Sequence, residues 1–287
     1  MIGHPSRCYA YAPGPFGQVH YQVWEPPTTA AGSGATAGSG AAGATLVLCH
    51  QSPSSSEQFS AIYPLLAARG IRAVGVDTPG FGMSTVPDHP PTIEEYADSV
   101  TRVLDHLGVE RAHILGQHTG SMVAMEATLR HPDRYARLIL NTPTPFDAAE
   151  RAQWSAVLTP RQKAWAPERD GSHLLALWQR RCAASGPWTH LPAMHREVIQ
   201  MLRAGETLWY GHAASFVYDQ LGRLPLIAVP TLILTNTGDL TFEFARRAHR
   251  VRPDFAYVEL PGGTHDIVDE QPEPFTAAVA DFLGPTR

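Results

Sequence analysis

Short apolar runs alternate with helical patterns along most of this chain, and that alternation restricts its fold more than any other feature. Residues 45–50 (TLVLCH) form a continuous apolar run, as a strand buried on both faces requires. Similar runs recur at 71–77 (IRAVGVD), 111–116 (RAHILG), 136–143 (ARLILNTP), 231–236 (TLILTN) and 256–260 (AYVEL). Between them lie segments of helical period. Residues 57–70 place Phe59, Ile62, Tyr63 and Leu66 at helical spacing and stop at Gly70. Residues 92–108 open on a Thr92–Glu95 capping box and stop at Gly108. Further helices are expected over 120–132, 242–251 and 273–284, and residues 17–27 (GQVHYQVWEPP) alternate as a strand. Strands alternating with helices predict an α/β fold, with a mostly parallel sheet covered on both faces.

Two stretches interrupt the rhythm. Residues 28–44 consist almost wholly of Gly, Ala, Ser and Thr, and are expected to form a flexible loop between strands. Residues 146–222 hold five of the six tryptophans in short helical pieces, which reads as an inserted helical cap. The chain therefore divides into a first core part (1–145), the cap (146–222) and a second core part (223–287).

The 287 residues, 44% hydrophobic and 17% charged, can build a sizeable core. A net charge of −5 argues against nucleic acid or an anionic membrane surface as partner. Three widely spaced cysteines do not suggest a disulfide framework, and Cys49 reads as core. No secretory leader or membrane span is apparent, so a cytoplasmic protein is expected. The 14 histidines show no zinc spacing, and no dinucleotide or phosphate loop is present, so no metal or other cofactor is implied.

Four pieces fall at the C-terminal ends of predicted parallel strands, the edge where open α/β sheets bind ligands. They are His50-Gln51-Ser52-Pro53, His118 in "LGQHTGSM", Asp239 and His265. A residue wedged between strand end and helix start is driven towards positive φ, and its neighbours two positions away must be small. Gly116 and Gly120 meet that need and hold His118 at the apex. The backbone N–H groups of Thr119, at a helix N-terminus, and of Ser52 are candidate oxyanion-hole donors. Each residue also has a plainer reading. His118 could be a satisfied core histidine, Asp239 a helix cap and His265 a surface loop residue. Asp77 reads as a turn residue, and no spacing marks Ser54, Ser55, Ser56 or Ser121 as a nucleophile.

These motifs resemble those of the α/β-hydrolase fold. The order elbow residue, acid, histidine is that family's order. "DTPGFGMS", "TNTGDLTF" and "GGTHDIVDEQPEPF" resemble its turn after the strand preceding the second helix, its acid loop and its histidine loop with the last helix. There are two departures. The elbow is Gly-x-His-x-Gly in place of Gly-x-Ser-x-Gly, and the usual His-Gly of the oxyanion loop is His50-Gln51. The resemblance implies a mostly parallel, eight-stranded-type sheet with an inserted helical cap, and a hydrolase ancestry with His118, Asp239 and His265 as catalytic residues.

On this reading Asp239 binds Nδ1–H of His265, and His265 in turn accepts a hydrogen bond from His118. His118 then serves as general base or, less readily, as nucleophile. The expected substrate is a hydrophobic, carbonyl-bearing small molecule. Candidate pocket residues are His50, Gln51, Gln117, Trp154, Trp165, Trp178, Trp188 and Trp209. Two alternatives stay open. One is non-hydrolytic lyase or cyclase chemistry, since an oxyanion hole also stabilises an enolate. The other is a non-catalytic receptor on the same scaffold. Oligomeric state is not legible.

Overall fold

The structure, a computed structural model, describes residues 6–27 and 44–284. Of the Gly/Ala/Ser stretch, all but Ala44 lies outside those residues. Eight strands form one sheet: β1 (Ser6–Gly14), β2 (Gly17–Glu25), β3 (Thr45–Cys49), β4 (Arg72–Val76), β5 (Ala112–Gln117), β6 (Tyr135–Asn141), β7 (Thr231–Asn236) and β8 (Ala256–Leu260). Their spatial order is β1-β2-β4-β3-β5-β6-β7-β8. The β1–β2 and β2–β4 pairings are antiparallel, and every pairing from β4 to β8 is parallel.

The apolar runs account for this sheet. Along β3, Val47 and Cys49 enter a cluster with Val100 and Met122 on one face. Leu46 and Leu48 join Tyr63, Leu66 and Phe275 on the other. Successive side chains of a strand point to opposite faces, so a run apolar at every position packs only if both faces are covered. The covering helices are α1 (Tyr63–Ala68), α2 (Ile93–His106) and α3 (Thr119–Arg130) in the first part of the chain. Five more, α4 (Ala148–Lys163), α5 (Ser172–Ala184), α6 (Leu191–Ala204), α7 (Tyr210–Val217) and α8 (Gln220–Arg223), lie between β6 and β7. The last three are α9 (Phe242–Val251), α10 (Ile267–Glu270) and α11 (Pro272–Leu283). No helix among the described residues is long and apolar enough to cross a membrane.

Two elements differ from the sequence reading. The helix expected over 57–70 is a 3₁₀ turn (Ser56–Phe59) followed by the short α1. Pro64 at the start of α1 has no N–H to carry an earlier helix through. The strand β1 has no counterpart in the sequence reading. It is a sheet edge exposed over most of its length, so it shows little of the alternation that marks a half-buried strand. Cys49 is fully buried, and that burial pushes its thiol up to about 12, consistent with a core role.

The α2 start is built as its sequence implies. Thr92 Oγ1 accepts from Glu95 N at 3.3 Å, and Glu95 Oε2 accepts from Thr92 N at 2.8 Å. Replacing Thr92 by Ala is expected to lower unfolding free energy by about 1 kcal/mol, read as a lower urea midpoint with unchanged slope.

Candidate active site

The elbow places its residue by steric necessity. His118 joins β5 to α3 at φ 48° and ψ −114°, a conformation few L-residues hold without support. A side chain at Gly116 would collide with the Gly120 carbonyl, and one at Gly120 would collide with the Cys49 carbonyl. The bend is pinned by His118 N donating to Asn141 O at 3.0 Å and Ser121 N donating to His118 O at 2.8 Å. The imidazole therefore projects from the C-terminal edge of the sheet.

Its partner is Asp239, in the loop after β7. His118 Nε2 lies 3.0 Å from Asp239 Oδ2. The other oxygen, Oδ1, accepts from Thr241 N and Thr241 Oγ1, each at 2.7 Å. Burial raises the Asp239 pKa, but His118 and then Thr241 more than offset this and hold it well below the ordinary carboxylate range. An ionised carboxylate only accepts hydrogen bonds, so it selects the tautomer with the proton on Nε2. Nδ1 of His118 is then the lone-pair nitrogen, 3.5 Å from Thr241 Oγ1.

His265 is wired differently from the expected relay. Among the described residues it makes no hydrogen bond to Asp239 or His118. Its Nε2 contacts the Arg181 guanidinium, which reaches over from α5 and also pairs with Asp266. Its carbonyl accepts from Gln117 Nε2 at 2.7 Å. Burial, opposed by Asp266 and assisted by Arg181 and His118, pushes the His265 pKa down to about 4. The ring is neutral at pH 7, and a guanidinium has only donors, so Nε2 is the acceptor.

His118 opens on a cavity of about 110 Å³. Thr119, the first residue of α3, lines it, and N–H groups at a helix start lack intrahelical partners. Of the five tryptophans only Trp154 lines this cavity, with Phe146, Leu158 and Phe216 as its other apolar walls. Trp165 stacks edge-on against His173, Trp188 lies against His190, and Trp209 sits under the Lys163 ammonium at 3.9 Å. Trp178 is half-buried on α5 and outside the cavity. These four contribute to the packing of the insertion.

Other expected residues also lie outside the cavity lining. His50 is buried, its Nδ1 bonded to Gln51 O at 2.7 Å and its Nε2 accepting from Thr78 N at 3.1 Å. It is a satisfied structural histidine whose pKa burial lowers. Gln117 is fully buried and bonds Gln58 as well as the His265 carbonyl. Gln51 donates through its backbone N to Gln58 Oε1 at 2.9 Å. Ser52 packs against Gly211 of α7, where a side chain would overlap its hydroxyl. It does not face the cavity as Thr119 does.

Phe146, Thr241 and His212 are among the site residues that the sequence reading missed. Phe146 follows β6 on the same sheet edge, so that edge rule could have found it. Thr241 follows Asp239 by two, the spacing of a side-chain-capped turn. His212 on α7 carries no sequence signal. It lines the cavity, stacks on Phe216 at 6.0 Å, and has its Nδ1 beside the Gln162 amide at 3.0 Å. Burial, with a smaller contribution from His118, pushes its pKa down to about 4. His212 and His118 are thus two imidazoles facing one small space.

Comparison with known proteins agrees with this architecture. Residues 44–272 match the family model described as alpha/beta hydrolase fold. The chain is 26% identical over 254 residues to haloalkane dehalogenase 2 of Mycobacterium tuberculosis, covering 84% of this chain and 88% of that protein. A hydrolase from Pseudomonas aeruginosa PA01 superposes with a TM-score of 0.76 at 24% identity, covering 96% of this chain and 98% of that one. The enol-lactonase from Burkholderia xenovorans LB400 gives 0.69 at 23%, covering 96% and 99%. At these identities the solved structures share the fold.

The buried neutral histidines carry a pH dependence. The folded pKa values of His212 and His265, about 4, lie below the unfolded value near 6.5, so the unfolded chain takes up protons first. Their contribution is complete above pH 6.5 and is lost as pH falls towards 4, by up to about 1.4 kcal/mol per pH unit for each ring. Thermal midpoints should fall steeply between pH 6.5 and 4.5, and His212→Gln should flatten that slope.

Proposed function

The chain belongs to the alpha/beta hydrolase fold family, and on that premise we propose that it hydrolyses a small, apolar, carbonyl-bearing compound with His118 as general base. The observation that carries this reading is the 3.0 Å contact between His118 Nε2 and Asp239. It commits the outer ring nitrogen to the carboxylate and leaves Nδ1 to take a proton. Nδ1 is the nitrogen nearer the backbone and is crowded by its own Cβ. Removing a proton from water is easier from that position than adding to a carbonyl carbon, so water, rather than the ring, is the nucleophile.

The steps follow from charge placement. Nδ1 takes a proton from water as its oxygen bonds to the substrate carbonyl carbon. The carbonyl π pair moves to oxygen, and the resulting oxyanion lies toward the Thr119 N–H at the positive end of α3. The imidazolium is stabilised by the ionised Asp239. Collapse of the intermediate breaks the bond to the leaving group, which receives the proton from Nδ1. His212, neutral and facing the same space, can exchange its tautomer against the Gln162 amide, because that amide offers both a donor and an acceptor. It is placed to hydrogen-bond the leaving atom or the water. The cavity volume admits only a small acyl or alkyl portion, and Phe146, Trp154 and Phe216 make that portion apolar.

Short-chain p-nitrophenyl esters and small lactones, turned over in heavy-oxygen water, test the reading. Wild type should place the label in the acid product. His118→Ala should lose about 10²–10⁴ in kcat with little change in KM, the range for removing a general base. Equal turnover by His118→Ala would exclude the imidazole from the reaction. Asp239→Asn should lose about 10²-fold in kcat through the unsupported imidazolium. Saturable binding with no turnover by wild type would favour the receptor alternative.

A further inference from the structure

A second and larger cavity, of about 500 Å³, lies beyond the C-terminal end of β4, between the β1–β2 hairpin and α6. It shares no lining residue with the cavity beside His118. Its volume is in the range of sites for small organic ligands. The proposed hydrolysis uses none of its groups.

Its floor contains a buried, half-satisfied imidazole. His20, on β2, is 6% exposed. Its Nδ1 lies 2.7 Å from Asp77 Oδ2. Asp77 also accepts from Ser56 N at 2.7 Å and Met83 N at 2.9 Å, so its carboxylate is fully committed. Nε2 of His20 has no hydrogen-bond partner among the described residues. The ring itself is held between Tyr9, stacked at 5.8 Å, and Tyr11, edge-on at 5.2 Å. A ring nitrogen left without a partner at a cleft wall can take one from a ligand, and the carboxylate behind the ring fixes where it points.

The charges around the rim do not cancel. Glu57 is paired with Arg7 at 2.6 Å, and Arg196 with Asp269 at 2.5 Å. Arg203, near the C-terminal end of α6, has no carboxylate partner among the described residues. Its guanidinium rests against the Met83 thioether, a weak acceptor. Among the described residues, Arg203 is therefore left without an acid at the mouth of a cleft where Glu57 and Asp77 are already engaged. Tyr11, Met83 and Ile199, all 40–51% exposed, give the cleft apolar walls.

We propose that this cleft is a second ligand site, taking a small hydroxylated aromatic carboxylate. The carboxylate lies on Arg203, the ring lies against Tyr11, Met83 and Ile199, and the hydroxyl meets His20 Nε2. A phenolic hydroxyl both donates and accepts, so it suits that nitrogen in either protonation state of the ring. Core and insertion each supply a wall, so an occupant bridges the hairpin to α6.

The test uses the full chain with 4-hydroxybenzoate as probe, followed by isothermal titration and saturation-transfer NMR. One saturable site is expected, unchanged in His118→Ala. Arg203→Gln should weaken binding about tenfold or more, as should replacing the probe by phenol, since each removes one charge-assisted contact. Benzoate, and the His20→Gln variant, should each bind about fivefold more weakly by loss of the hydroxyl contact. If His20→Gln does not fold, the exposed Arg203→Gln and the benzoate comparison decide. Absence of saturable binding, binding abolished by His118→Ala, or affinity undiminished by Arg203→Gln would overturn the proposal.

Discussion

A buried carboxylate stays ionised only where hydrogen bonds replace the water it has lost, and Asp239 meets that condition at the centre of the candidate site. It is 5% exposed, and Thr241 and His118 between them satisfy both of its oxygens. That arrangement decides the tautomer of His118, and the tautomer leaves Nδ1 as the nitrogen with the free lone pair. The strain of a histidine at φ 48° gains a purpose from this, because the elbow carries the imidazole to the carboxylate. Neither part is useful without the other.

The displaced member of the constellation is His265. In the expected relay it stood between acid and elbow. Here the longer side chain at the elbow reaches the acid directly, and the intervening position is no longer needed. His265 is held instead by Arg181 from the helical insertion and, through its carbonyl, by Gln117 from the strand that leads into the elbow. It has become part of the joint between insertion and core. Asp266 and Ser185 complete that joint, with Ser185 Oγ donating to Asp266 Oδ2 at 3.0 Å. Glu197 of α6 adds a buried carboxyl whose pKa burial pushes up to about 7, with its Oε2 accepting from Ser54 Oγ at 3.0 Å. A joint built from buried ionisable groups is specific in geometry and sensitive to loss of any one partner.

The sheet edge thus carries two cavities of different character. The one at the elbow is small, aromatic-walled and faced by two imidazoles. The one beyond β4 is larger, open to the Arg203 guanidinium and floored by a histidine that Asp77 orients. Both depend on the helices between β6 and β7, which lend Trp154 and His212 to the first and Arg203 and Ile199 to the second.

Local sequence was enough for the seven strands that follow β1, for the elbow bend and for the loop that carries Asp239. Apolar runs such as Leu46–Cys49 can pack only between two layers, and Gly116 and Gly120 make sense only around a sharp bend. Their meaning lies in neighbours a few residues away, which sequence displays. The Thr92–Glu95 box is legible for the same reason. The partners of His118 and His265 were decided by tertiary structure, because those contacts span 121 and 84 residues and turn on side-chain reach of an ångström or two. The same holds for His212, Phe216 and Arg203. An amphipathic pattern reveals that a helix has a buried face, but which of its residues looks into a cavity depends on how that helix docks, and docking is set by shapes that lie far apart in the chain.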